Sequence, residues 1–569
     1  MSTDLLFEHF ATLATAPDGI ARLRELILQL AVQGKLGTQD MGDEPASELL
    51  KKVKKQIASS HKSSSREKEI TPLDEQKIPF LLPKNWVWTQ IGSVCTPTQY
   101  GWTTQATTTG IVHLLRTTDI TSGNINWDTV PYCSEVPTDL EKYLITDGDI
   151  VISRAGSVGE SHLIKNPKQS VFASYLIRFK PMINRDYFTL FLKSPYYWSV
   201  ISNESLGTGV PNVNATKLRN CYFPLPPFAE QHRIVAKVDR LMALCDELEA
   251  RQQEERAGCL RLGTASLAGL QNAESPEEFR RQWAQVCDAF DLILDCPENV
   301  NMLQQTILQL AVQGRLVRQE SGDEPAGKLV ERIRKEKSLS SGKVRKKYAF
   351  ELAKNEGLNT PFSLPSNWEW VSLGTICELI TKGSSPKWQG VHYVEESEGI
   401  LFITSKNVDN FKLKLSNKQF VESKFNEIEP RSILKRNDLL MNLVGASIGR
   451  TAIFESDEIA NINQAVCLIR IFKGDKFVNL KYFLLFFNSP ICISYMFDNQ
   501  VESARANLSM TNVAKFQIPL PPLAEQHRIV AKVDALMALC DALKLRLKER
   551  AGVQGKMAGA VVKGITVTT

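Results

Sequence analysis

The stretch AEQHRIVAKVD at 229–239 returns unchanged at 524–534. The match runs further outward. PLPPFAEQHRIVAKVDRLMALCD (224–246) and PLPPLAEQHRIVAKVDALMALCD (519–541) differ only at Phe228/Leu523 and Arg240/Ala535. Upstream, ILQLAVQG stands at 27–34 and 307–314, and GDEPA at 42–46 and 322–326. LPKNWVW (82–88) is answered by LPSNWEW (364–370). The offset between copies is 280 at the start (307 − 27) and 295 at the end (519 − 224), so the added residues lie inside the second copy. Such a chain must fold as two copies of one frame. The contents, 82–223 and 364–518, share little sequence. One frame with two different contents is the pattern of one scaffold holding two readers. A duplicated structural protein with a drifted middle would have loosened its frame too.

The constant segments read as helices. Leu23, Leu26, Ile27, Leu30 and Ala31 follow the spacing of an amphipathic helix, and Gly34 suits the left-handed stop after it. Pro45 suits the first turn of a second helix, with Asp43 and Glu44 at its positive end; Gly314, Asp323 and Pro325 repeat the logic. After the paired prolines, Ile234, Val238, Leu241, Cys245 and Leu248 alternate spacings of four and three, as do Ile529, Val533, Leu536, Cys540 and Leu543. This is a short coiled-coil seam, and each helix expects a partner helix. Two such helices from similar halves suit antiparallel packing about a pseudo-twofold axis. A helix of about 30 residues spans ~45 Å, against ~34 Å for one turn of B-DNA, which makes it a strut of fixed length. His232 and His527 lack a second histidine one turn on and are expected on the helix surface, not on a metal. The Lys/Arg/Ser-rich stretches 51–70 and 331–347 read as solvated helix ends running into linkers.

The divergent cores read differently. GDIVIS (148–153), SYLIRF (174–179), NDLLMNLV (437–444) and AVCLIRIF (465–472) are strand-like runs. YFTLFLKSPYYWSVIS (187–202) and YFLLFFNSPICISYMF (482–497) read as helices between them. Each core is then a mixed α/β domain. Trp86, Trp88, Trp368 and Trp370 are expected as core anchors of the opening strand.

Catalytic signatures are missing from the sequence. It has no phosphate-binding GxxxxGK[ST], no dinucleotide glycine fingerprint, no metal-ligand spacing and no Asn-Pro-Pro-aromatic motif of amino-methyltransferases. Gly445-Ala-Ser447-Ile-Gly449 matches the GxSxG of serine hydrolases, but that motif needs a helix after it. TAIFE follows here and reads as a strand, and Ala155-Gly-Ser157-Val-Gly159 occupies the same place in the first half. A tight β-turn accounts for both. Eleven cysteines without a CxxC pair, and no signal-like N-terminus, point to a reducing cytoplasm. A net charge of +5 permits a nucleic-acid partner without demanding one. From the residues alone, a DNA reader and a duplicated protein-binding adaptor both stay open.

A core opening with LPxxWxW, a GDxxxS strand with a small-residue turn, then LPPxAEQHRI leading into a helix, all occurring twice, resembles the specificity subunit of type I restriction–modification systems. The resemblance covers nearly the whole chain, in the long form with an N-terminal helical repeat segment. It implies two α/β target-recognition domains separated by long antiparallel helices. The segments would be 1–79, N-terminal helices and linker; 80–223, first recognition domain; 224–360, central helical spacer and linker; 361–518, second recognition domain; and 519–569, C-terminal helix. Each recognition domain would read one half of a bipartite, asymmetric site on double-stranded DNA. The helices would dock two methyltransferase subunits, joined by restriction/translocase subunits. S-adenosylmethionine, ATP and Mg would belong to those partners; this chain would be non-catalytic, without metal ligands.

Base readout uses Arg or Lys for guanine and Asn or Gln for adenine. The first candidates are the polar glycine loops opening each core: Gln99, Tyr100, Trp102 and Thr103, and Lys382, Ser384, Ser385 and Lys387. Next are the strand-end residues Arg116, Arg154 and Ser157, with Lys406, Asn407, Asn442 and Ser447. Last are the loops before the long helices, Asn212 and Asn214, with Asn507 and Ser509.

Overall fold

Both ends of each frame are helical, and they close on one another around a tryptophan. The computed structural model describes residues 10–60, 72–121, 123–205, 212–340, 362–498 and 508–567. The chain forms two compact units, Met1–Glu255 with Lys548–Thr569, and Arg256–Leu547.

In the first unit, helix Gly19–Val32 buries Leu23, Leu26, Ile27 and Leu30, as their spacing dictates. It ends at Gly34, whose φ of +69° is left-handed; a Cβ there would also lie 2.5 Å from the Pro83 ring. Helix Ala46–Ser60 follows. Among the described residues ten strands make up the core: β1 (Val87–Gln90), β2 (Gln99–Tyr100), β3 (Ala106–Thr107), β4 (His113–Leu115), β5 (Tyr132–Cys133), β6 (Ile150–Ser153), β7 (Ser161–Leu163), β8 (Ser170–Phe172), β9 (Leu176–Phe179) and β10 (Tyr222–Leu225). They form two four-stranded sheets, ordered β2-β9-β6-β7 and β3-β5-β4-β8, and a closing pair, β1-β10. Among the described strands, β4 and β8 pair parallel and the other pairs are antiparallel.

The second unit repeats the topology despite its unrelated core sequence. Its strands are β11 (Glu369–Ser372), β12 (Cys377–Lys382), β13 (Tyr393–Val394), β14 (Gly399–Ile403), β15 (Phe420–Glu422), β16 (Asp438–Asn442), β17 (Thr451–Phe454), β18 (Ala460–Ile462), β19 (Val466–Ile471) and β20 (Gln517–Leu520). The sheets are β12-β19-β16-β17 and β13-β15-β14-β18, with β11-β20 closing, and β14-β18 is the parallel pair. Helix Pro297–Val312 takes the place of Gly19–Val32, and Gly314 (φ +72°) ends it against Pro365.

The frame motifs hold one another. The buried Glu230 carboxylate accepts from the Trp86 indole N–H (2.8 Å) and the Thr38 hydroxyl (2.9 Å). Its counterpart Glu525 accepts from Trp368 (3.0 Å) and the Gln319 amide (2.7 Å). Arg233 pairs with Asp43 of the first GDEPA, and Arg528 with Asp323 of the second. The Gln231 side chain accepts from the Asn184 N–H (2.9 Å) and donates to the Pro226 carbonyl (3.0 Å); Gln526 does the same with Asn479 (2.8 Å) and Pro521 (2.9 Å). His232 and His527 rest against the Asn184 and Asn479 amides at 3.0 and 2.9 Å. So LPPxAEQHRI, LPxxWxW and GDEPA, far apart in sequence, form one polar lock.

The long helices differ from expectation in length. Each has 45 residues, Phe228–Asn272 and Leu523–Val567. Glycine weakens an isolated helix; Gly263, Gly269 and Gly559 sit against neighbours, whereas a Cβ at Gly552, Gly555 or Gly564 would meet nothing within 4 Å. At Gly263 a Cβ would lie 2.4 Å from the Asn299 amide, so the small residue admits helix Pro297–Val312. In the first unit Ile234, Val238 and Cys245 are buried and Leu241 and Leu248 partly so, in one core with Leu23, Leu26 and Leu30 and with Ala558, Val561 and Val562. In the second unit Ile529, Val533 and Cys540, flanked by Leu536 and Leu543, share a core with Ile307, Leu308 and Ala311. The seam therefore packs with the repeated N-terminal helix and, in the first unit, also with Ala558, Val561 and Val562 of the other long helix. Arg24 pairs with Asp246 (2.6 Å) and Glu249 (2.7 Å), and Gln304 with Asp541 (2.9 Å) and Lys544 (2.5 Å) at the matching places.

Each of the aromatic stretches read as helical is a pair of helices with a break between them. Helices Arg185–Lys193 and Pro195–Ser205 meet at Ser194-Pro195, and Leu480–Phe487 and Pro490–Asp498 meet at Ser489-Pro490. Proline cannot continue the first helix but opens the second. The serine hydroxyl returns to the preceding turn, Ser194 to Phe191 (2.7 Å) and Ser489 to Phe486 (2.6 Å). No single described helix is long and apolar enough to cross a membrane. Residues 51–60 and 331–340 are helical; 61–70 fall outside the described residues, as do 341–347.

Candidate nucleic-acid interface

In the first unit the structure gathers several candidate residues at one edge of the sheet β2-β9-β6-β7. Arg154 leaves the end of β6. Its backbone N–H donates to the Tyr175 carbonyl (2.9 Å) and its carbonyl accepts from Val213 (3.0 Å). Ala155 bridges to Asn212. The Tyr100 hydroxyl accepts from the Ala215 N–H at 2.9 Å, and the Arg154 guanidinium stacks 5.3 Å from the Tyr100 ring centre. Tyr100, Arg154, Ser157 and Asn212 thus come from three segments to one place, Arg154 and Ser157 sharing the turn after β6, with Thr103 exposed nearby in sequence. Tyr175, 60% exposed, joins them and was missed. Its signal was an aromatic opening the SYLIRF run, where a strand end turns outward.

Other candidates serve the fold. Trp102 donates its indole N–H to the Glu135 carbonyl (3.0 Å) and packs 5.3 Å from Tyr143. Gln99 bonds the Tyr100 carbonyl (2.8 Å). Arg116 is forked onto Asp119 at 3.1 and 2.8 Å, which pushes its pKa up. Asn214 caps helix Ala215–Arg219, accepting from the Lys217 N–H (2.9 Å).

In the second unit Lys382, Lys387 and Lys406 are exposed, and Trp388 beside Lys387 is 76% exposed. Ser384 accepts from the Gln389 amide (3.0 Å), and Ser385 opens the short helix Pro386–Gln389. Ser509 caps Met510–Lys515 (3.0 Å to the Asn512 N–H). Asn507 lies outside the described residues. Asn407 and Asn442, expected at accessible strand ends, are inside. Asn407 accepts from the Thr404 N–H (2.9 Å) and donates to the Lys414 carbonyl (3.0 Å). Asn442 is fully buried and donates to Ser405 (3.0 Å) and Val408 (3.2 Å) carbonyls. The loop after β14 supplies partners for the Asn442 amide N–H groups, while its Oδ1 is buried without one.

The GxSxG segment is a turn between antiparallel strands β16 and β17, not a strand-to-helix elbow. Gly445 and Gly449 have φ of +72° and +85°, matched by Gly156 (+81°) and Gly159 (+89°). The Ser447 hydroxyl donates to the Val444 carbonyl at 3.4 Å. Among the described residues no three His, Cys, Asp or Glu side chains converge as metal ligands would. A cavity of about 1000 Å³ in the first unit, lined by Trp127, His162, Lys193 and Trp198 among others, includes none of the candidates; burial there and Lys193 push the His162 pKa down.

The turns are superposable in their hydrogen bonds. Gly159 to Ser153 (2.9 Å) answers Gly449 to Asn442 (3.0 Å), and Val213 to Arg154 (3.0 Å) answers Leu508 to Leu443 (3.1 Å). Arg154 to Tyr175 (2.9 Å) answers Leu443 to Ala465 (2.9 Å). So Arg154 and Leu443 hold the same position, as do Tyr175 and Ala465. Tyr100 and Lys382 correspond too, since each precedes a glycine (101, 383) whose Cβ would strike a backbone carbonyl at 2.1 or 1.7 Å. The backbone is common and the side chains differ.

A family model for the type I restriction modification DNA specificity domain matches residues 83–256 and 365–551. The chain belongs to this family. It carries two such domains, one in each half, each opening at LPxxW and extending into a long helix. Among its relatives are the type I restriction enzyme EcoAI and EcoEI specificity subunits of Escherichia coli. Each is 29% identical over 95% of this chain and 93% of its own. The crystal structure of the HsdS subunit from Thermoanaerobacter tengcongensis is 18% identical, with a TM-score of 0.41 over 86% of this chain and 98% of that one. In this specificity subunit the frame network accounts for the motifs shared by its two domains. The edge of β2-β9-β6-β7 and its counterpart share their turn hydrogen bonds and differ in side chains, as the cores do throughout.

Proposed function

We propose that this specificity subunit reads a bipartite, asymmetric site on double-stranded DNA, one part per specificity domain, and directs methylation or restriction performed by partner subunits. The observation that carries the reading is the pair of edges with one backbone and two sets of side chains, Tyr100/Arg154/Tyr175 against Lys382/Leu443/Ala465. A scaffold that only bound proteins would have no need to vary that edge while keeping its turn hydrogen bonds. Tyr100, Thr103, Arg154, Ser157 and Asn212 would face one half-site, and Lys382, Lys387, Lys406 and Ser447 the other. The recognition segments would be 80–223 and 361–518, with 1–79, 224–360 and 519–569 as the helical frame. Two methyltransferase subunits and the restriction subunits would supply S-adenosylmethionine, ATP and Mg chemistry, leaving this chain to bind and position.

Methylome mapping tests the proposal. The chain is co-expressed with a methyltransferase subunit of its system in a host lacking such marks, and methylated adenines are located by long-read sequencing. A two-part motif with a fixed gap is expected. No new methylation from a soluble complex would favour a protein-only adaptor.

A further inference from the structure

Five arginines lie within 82–223. Four are engaged: Arg116 by Asp119, Arg178 by the Leu144 and Lys142 carbonyls, Arg185 by the Asp147 carbonyl, and Arg219 by neighbours of its own. Arg154 is the exception. Among the described residues no hydrogen bond or ion pair reaches its guanidinium, and its Nε is buried without a partner. A buried donor left unpaired is costly, and such a cost is tolerated where a ligand supplies the acceptor.

The group is nevertheless fixed. Its Cζ lies over the Tyr100 ring, whose hydroxyl is pinned by Ala215, and its backbone is held on both sides by Tyr175 and Val213. Stacking orders a guanidinium without using its N–H groups. What remains is a rigid planar fork, the shape that meets O6 and N7 of guanine in the major groove.

A phosphate is the rival acceptor. A phosphate contact is blind to sequence, so both copies of a duplicated reader would keep it. A base contact must change when the half-site changes. The matching position in the second domain is Leu443, which donates nothing. Resting on the DNA-reading function above, we propose that Arg154 reads a guanine in the half-site of the first domain, with Tyr100 as its positioning residue.

The test maps methylation by complexes carrying wild-type chain, Arg154→Gln or Arg154→Lys, and measures their binding to duplexes altered one base pair at a time. The expected wild-type motif contains a guanine in the half that follows residues 82–223 in a domain swap. Arg154→Gln should lose about five- to 150-fold of the preference for guanine at that one position, with the other half and the gap unchanged. An unchanged motif would overturn the proposal, as would a wild-type half-site without guanine or equal weakening on every duplex. If Arg154→Gln does not assemble, Arg154→Lys decides: assembly with wild-type base preference refutes a forked contact, and assembly with guanine preference lost supports it. A wild-type complex that places no methylation at all would count against the DNA-reading function itself, not against Arg154.

Discussion

Glu230 shows what single residues of the frame do. Its carboxylate is buried beneath the Trp86 indole, and Glu525 repeats the arrangement under Trp368. Glu230→Ala should cost about 1–3 kcal/mol, because the indole N–H is left buried and unpaired; Glu230→Gln keeps an acceptor and should cost less. Burial raises the Glu230 pKa against the pull of Trp86 and Thr38. The folded state then holds the proton more tightly than the unfolded one, so this group's contribution falls as pH rises through and above the usual carboxylate range. The stability of Glu230→Gln relative to wild type should therefore rise from about pH 4 to pH 7, as thermal unfolding of both at each pH would show; a flat difference would sink the assignment. The motif letters E, Q and R were legible in the sequence. That they answer the W of one motif and the D of another was not, since the partners lie 144 and 190 residues away.

At the scale of elements, helix stops carry a sharp expectation. Gly314 has a left-handed φ, and a Cβ there would lie 2.6 Å from Pro365. Gly314→Ala should destabilise the protein by about 1–3 kcal/mol. Gly322, with ordinary φ and nothing within 4 Å, should accept alanine within about 0.5 kcal/mol. Urea unfolding of the two variants checks the contrast, and equal costs would contradict it. Strand runs such as GDIVIS and AVCLIRIF were legible because apolar β-branched residues between turn signals leave little choice. The Ser-Pro breaks carry their own sign in the proline, which cannot continue a helix. Helix length was underestimated because the repeated seam ends at Leu248 and Leu543, while both helices continue beyond it to 45 residues.

For the whole molecule the duplication governs. Each long helix runs unbroken while its residues pass from one unit to the other. An insertion of about four residues, one turn of ~5.4 Å, within 248–262 should change the gap of the recognised motif or abolish binding. Both half-sequences should survive; a changed half-sequence with an unchanged gap would contradict the strut. Replacing residues 82–223 by the same segment of another family member should alter one half only. Duplex binding by the assembled complex should weaken as salt rises, log affinity falling linearly with log concentration, and a salt-independent complex would contradict phosphate contact.

The sequence by itself determined that there are two copies of one frame, that the frame is helical, and that its contents are mixed α/β. Repetition and periodicity are local properties, and burial of an apolar stripe follows from them whatever its partner. Only the tertiary structure decided which segments meet. It showed two dissimilar cores with one sheet order, drew Asn407 and Asn442 inside, and set Arg154 on Tyr100. The physical reason is that a side chain's role depends on what the chain brings back to it. Residues 100, 154, 175 and 213 become neighbours only when three strands and a returning loop have closed around a single edge.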